Sequence, residues 1–157
     1  MTDRPIIFSF PMVKALLAGT KTQARQMALR FNGNPSPWLC VKPGERLWVR
    51  EAWSHNAPSL DDCRRGNAIV KPPTSSIRIP RWASRLTLTV TDVRVQRLHA
   101  ITEAEAQAEG IEAKHGYVAA FRRTWNDIHG QFAWDKDPDI VALTFTVEKR
   151  NIDELAA

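Results

Sequence analysis

The chain has 157 residues, 22 basic and 17 acidic side chains, a formal net charge of +5 and 43% hydrophobic residues. That length fits one domain able to bury its own core, and the composition excludes intrinsic disorder. No apolar run reaches the roughly 20 residues of a membrane span, residues 1–5 are not a secretory signal, and Cys40 and Cys63 sit in no disulfide or zinc-ribbon pattern, so the expectation is a single cytoplasmic domain over residues 1–157.

In chain order, residues 4–10 (RPIIFSF) predict a strand. Pro11 suits the first turn of a helix whose Met12, Ala15 and Leu16 share a face, and Gly19 suits its left-handed C-cap. Residues 20–25 (TKTQAR) follow as a loop or entering strand. Residues 32–37 (NGNPSP) are turn material, and residues 42–45 (KPGE) turn into a strand over 46–53 (RLWVREAW). Residues 54–76 are long, polar and Pro-containing, which predicts a functional loop or an insertion, spanning 54–78 at most.

Leu86, Leu88 and Val90 alternate with Thr87, Thr89 and Thr91, the mark of a half-buried strand. The apolar phase then moves to Val93 and Val95, so a bulge is expected near Thr91 and Asp92. Thr102 and Glu105 fit a capping box for a helix running to Glu109 and stopped by Gly110. A second helix over residues 117–128 places Val118, Phe121, Trp125 and Ile128 on one stripe. Residues 140–147 predict a closing strand with Val141, Leu143, Phe145 and Val147 on one face. Strands of mixed spacing with a few short helices predict an α+β fold, a small β-barrel with helices packed across it.

Charge is unevenly placed. Residues 1–100 carry 16 basic and 6 acidic side chains, and residues 101–157 carry 6 and 11. Such asymmetry fits either a polyanionic partner for the first part or pairing between the two parts. Lys21 and Arg25 lie at even spacing with Gln23 between them, so an extended backbone points all three one way, as a clamp for a phosphate or a base edge or as a solvated basic turn. Glu103 and Glu105 suit the start of their helix. Glu109 lies at its end, where the helix dipole disfavours a carboxylate, and needs a cation or a chemical task to explain it.

Six tryptophans are many for this length. Trp82, between Arg81 and Arg85, and Trp53, after Arg50 and Glu51, are the candidates for stacking on bases. Trp48 and Trp125 fall on apolar stripes and are expected in the core. His55, His99, His115 and His129 make no metal-binding spacing, and residues 135–139 lack the glycine and final Glu of a calcium loop. No metal and no other cofactor are expected.

The segment LAGTKTQAR resembles the G-x-K-x-x-x-x-R signature of the ASCH domain, a family of the PUA-like superfamily. Residues 43–53 (PGERLWVREAW), 80–85 (PRWASR), 101–111 (ITEAEAQAEGI) and the closing strand are similar in the same order, as in longer members carried by phages and prophages. The resemblance implies a PUA-like barrel acting on RNA or on modified nucleosides, as a hydrolase of N4-acetylcytidine type or a ribonuclease for single-stranded RNA. Non-catalytic RNA binding and a phage structural or interaction role are the alternatives. In the amidohydrolase pattern the catalytic Lys matches Lys21, the Glu matches Glu109, and the Thr matches Ala24, which has no hydroxyl. Three readings stay open: Thr22 or Thr20 supplies a hydroxyl, water attacks with Glu109 as base and Lys21 stabilising the oxyanion, or the site only binds. Arg25, Arg50, Glu51, Trp53, Arg81, Trp82, Ser84 and Arg85 are the expected substrate contacts.

Overall fold

The computed structural model describes residues 3–30, 32–51 and 79–155. The expected insertion at 54–78, and with it Trp53, His55 and Cys63, lies outside the described residues. Among the described residues five strands make one mixed sheet: β1 (Arg4–Ile7), β2 (Gln23–Met27), β3 (Arg46–Arg50), β4 (Thr87–Arg97) and β5 (Asp139–Glu148), in the order β1-β3-β4-β5-β2. The pair β1–β3 is parallel, with Ile6 opposite Val49, and the other pairs are antiparallel.

The expected α+β class is found. Among the described residues the sheet keeps two edges, β1 and β2, instead of closing as a hydrogen-bonded barrel. The chain between those edges is helix α1 (Phe10–Ala18), which buries Val13 and Leu16 in one core with Ile6, Leu47, Leu88, Val90, Leu143 and Phe145. Each such side chain contributes roughly 1.5–3 kcal/mol. Phe10 opens this helix rather than ending the strand, because Pro11 suits its first turn. Gly19, at φ 79°, closes it by donating its N–H to the Ala15 and Leu16 carbonyls.

The bulge falls where the alternation breaks: Val90 pairs with Phe145 and Asp92 with Thr144, which leaves Thr91 over. Beyond it β4 is mostly exposed. Val93 still packs against the core, but Val95, expected beside it, is 59% exposed.

A second core joins the sheet to α2 (Glu103–Ala108) and α3 (Tyr117–His129). It holds Leu98, Ala106, Phe121, Trp125, Trp134 and Ile140. Ile128, expected on the buried stripe of α3, is 54% exposed. Helix α3 begins at Gly116, which has no capping side chain, and Glu103 caps it from α2 by accepting from the Tyr117 N–H (2.8 Å) and the Val118 N–H (3.4 Å). A short α4 (Ile152–Leu155) ends the described chain. No helix among the described residues is long and apolar enough to cross a membrane.

Candidate functional site

Directly after Gly19 the chain passes the end of α2. Lys21 and Glu109 form an isolated antiparallel bridge, and the Thr22 N–H donates to the Ala108 carbonyl at 2.7 Å. Gly110 permits this approach. Its φ is 85°, and a Cβ there would lie 2.6 Å from the Ala15 Cβ and 2.9 Å from the Lys21 Cβ. Glycine is needed both for the conformation and for the space.

The Lys21 ammonium therefore ends buried beside the α2 terminus. It donates to the Gln23 carbonyl (2.8 Å), the Glu109 carbonyl (2.9 Å) and Glu109 Oε2 (3.1 Å). Arg25 donates to Glu109 Oε1 at 2.7 Å and to Gln23 Oε1 at 3.1 Å, and its Nη2 pairs with Glu105. Glu109 is thus explained: two cations offset the unfavourable helix end. Glu105 turns to Arg25 instead of closing the capping box, although the Thr102 hydroxyl still accepts from the Glu105 N–H at 3.2 Å. Two cations and two carboxylates cancel, and they satisfy one another out of water, as buried charges require.

Three members of this cluster, Lys21, Arg25 and Glu109, floor a cavity of about 340 Å³. Phe8, Phe121 and Trp125 line it, with the Lys21 ammonium 5.2 Å from the Phe8 ring centroid. His129 lies on the outer end of α3, its ring 4.0 Å from that of Trp125. Its pKa is lowered because partial burial disfavours the imidazolium. Ala24 presents only a methyl group. Two buried donors on lining residues, Arg25 Nε and Trp125 Nε1, have no hydrogen-bond partner among the described residues.

The structure separates the remaining sequence candidates from this cavity. Thr22 is exposed and contributes backbone only, so it is not placed as a nucleophile there. Ser84 is completely buried, its hydroxyl bonded to the Val49 (2.8 Å) and Leu86 (3.1 Å) carbonyls. Arg85 pairs with Glu51, its Nη2 3.2 Å from Oε2. Arg50 lies over the Trp48 ring at 4.7 Å. Arg81 binds Asp3 and Asp153, each at 2.8 Å; the hydrogen bond to Asp153, then that to Asp3, raises its pKa above the ordinary arginine value. Asn151 Nδ2 donates to the Arg81, Trp82 and Ser84 carbonyls at 2.9, 3.3 and 2.7 Å. This second group fastens the C-terminal segment. Trp82 stays half exposed within it, and no member of the group lines the cavity.

Sequence reasoning misses Phe8, Phe121, Trp125 and His129 as cavity walls. The available signal is the spacing of Phe121, Trp125 and His129, four residues apart on one helix face. Among the described residues no group of three or more His, Cys, Asp or Glu could hold a metal ion.

No family model and no curated protein matches the chain. Solved structures do. The hypothetical protein PH0355 aligns over 94% of this chain and 100% of its own at 9% identity, with a TM-score of 0.54. Protein EF3133 of Enterococcus faecalis V583, of family DUF984, covers all of this chain and 82% of its own at 16% identity, with a TM-score of 0.50. These two share its fold. An ASCH domain from Lactobacillus crispatus JV V101 aligns over 93% of this chain and 79% of its own at 16% identity, with a TM-score of 0.49.

Proposed function

We propose that the chain is one cytoplasmic module of the ASCH type, PUA-like, whose cavity receives a single pyrimidine base, either unpaired in RNA or carried by a free modified nucleoside. The observation that carries this reading is the meeting of the Lys21 amine and the Glu109 carboxylate, 3.1 Å apart, on the floor of an aromatic-walled cavity. Its volume falls within the usual ligand-pocket range, which starts at about 300 Å³. Phe8, Phe121 and Trp125 suit a flat heterocycle. The two lining cations, Lys21 and Arg25, are already paired with Glu109 and Glu105, which leaves little charge for a phosphate and favours a neutral guest. The Glu109 oxygens keep lone pairs for an amino or N–H group of the base.

Amide hydrolysis of N4-acetylcytidine is the second reading, favoured by the same convergence. Three features weigh against Lys21 as its base. All three ammonium N–H groups already have acceptors, the residue matching the family Thr is Ala24, and Thr22 does not line the cavity. Ser9 and Thr124 bring hydroxyls to the walls, but that of Thr124 is bonded to the Ala120 carbonyl at 3.2 Å. A route that needs no side-chain nucleophile is attack by water with Glu109 as general base. Cleavage of single-stranded RNA rests on the resemblance alone.

Calorimetric titration with cytidine, uridine and N4-acetylcytidine, run beside an assay for acetate release, tests both readings. Nucleoside binding without acetate supports the binding pocket. Acetate release that disappears in Glu109→Gln supports the hydrolase. Absence of binding to every nucleoside, with no acetate released, overturns both.

A further inference from the structure

A wider groove of about 1410 Å³ adjoins the cavity, and Ser9, Met12, Glu109, Ile111, Thr124 and Ile128 line both. Phe10 stands on its α1 wall. This ring is 70% exposed and belongs to neither core cluster, so packing does not account for it. Lys14 follows one helical turn later, its ammonium 5.8 Å from the Phe10 ring centroid. Residues four apart on a helix share a face, so an aromatic platform and a cation stand side by side next to the opening that Ser9 and Met12 share. The two walls of the groove differ in charge. The α1 wall carries Lys14 and no acid, whereas Glu112 and Asp127 lie on the opposite wall with Arg123. A phosphate is therefore favoured along α1 and opposed across the groove.

We propose that Phe10 and Lys14 form a second nucleotide subsite, which makes the ligand single-stranded RNA of two or more nucleotides rather than a lone nucleoside. The inference rests on the pocket reading above. With one base in the cavity, its neighbour stacks on Phe10, and Lys14 neutralises the phosphate between them. An exposed aromatic face beside a cation is the arrangement by which proteins hold successive unpaired bases with little sequence preference.

The test titrates the full-length protein, Phe10→Ala and Lys14→Gln with cytidine, uridine and the tetranucleotides rC4 and rU4 at several salt concentrations. The wild type should bind a tetranucleotide more tightly than its nucleoside. Phe10→Ala should weaken the tetranucleotide about tenfold or more, the usual loss of one stacked base, and leave the nucleoside unchanged. Lys14→Gln should reduce the salt slope for the tetranucleotide by about 0.7, the contribution of one phosphate contact to a single strand. Equal tetranucleotide affinity in the wild type and Phe10→Ala overturns the second subsite while nucleoside binding preserves the pocket. Loss of nucleoside and tetranucleotide binding together overturns both.

Discussion

Two groups of arginines and carboxylates in this protein use the same chemistry to different ends. Lys21, Arg25, Glu105 and Glu109 come from a β-edge and a short helix, are largely buried, and all but Glu105 floor a cavity. Arg81 and Asp153 reach solvent, with 37% and 58% of their side-chain surface exposed, and with the more buried Asp3 they tie the segment around Trp82 to the two ends of the chain. Water decides the difference. A charge in the first group has lost its hydration and depends on its partners, whereas one in the second keeps water as an alternative partner. The aromatic residue between two arginines at Trp82 thus belongs to a fastening, and the proposed ligand cavity lies where ion pairs are buried beside an apolar opening.

Removing one member of each group makes the contrast quantitative. Glu109→Gln leaves Lys21 and Arg25 short of a counter-charge in a buried setting and should cost about 3–5 kcal/mol, a fall in melting temperature of roughly 10 °C or more at this size. A loss under about 1 kcal/mol in denaturant unfolding would mean that water reaches the cluster. Gly110→Ala should come next. Left-handed strain of about 1–3 kcal/mol adds to the contact with the Ala15 and Lys21 Cβ atoms, and nucleoside affinity should fall with stability. A variant as stable as the wild type would show that the α2 terminus is not fixed against Lys21.

Arg81→Ala should cost only about 0–1 kcal/mol and lose that effect in high salt, with nucleoside binding untouched; a change in binding would put this group at the site after all. The smallest effect belongs to His129. Its pKa is lowered in the folded state, so the native protein binds fewer protons than the unfolded chain as pH falls below the ordinary histidine value of 6.5. Stability should therefore decline on acidification through that window and be fully present above it. His129→Gln should flatten the decline; an unchanged pH profile would assign it to other groups.

Local signals carry much of this fold. The Leu86–Val90 alternation, the phase break at Thr91, the Gly19 cap and the Thr102 cap are set by near neighbours and are legible in the chain. The tension between Glu109 and its helix dipole is legible too, because an anion at a helix C-terminus asks for a cation. The identity of that cation is not, since Arg25 looks as free as Lys21 until Glu105 and Glu109 arrive from about eighty residues away. Ser84 reads as a site hydroxyl because the backbone carbonyls that consume it belong to Val49 and Leu86 in the folded sheet. Trp125 reads as core and is core, yet one side of it meets the cavity, a distinction that periodicity does not contain.

Amide and indole N–H shifts of the labelled protein, followed by nuclear magnetic resonance during titration with cytidine and N4-acetylcytidine, test the pocket most directly because both regions carry a tryptophan. The account predicts saturable shifts at the Trp125 indole and at the Ala24 and Gly110 amides, with the Trp82 indole still. Shifts centred on Trp82 and Arg85, or none with either nucleoside, would contradict it.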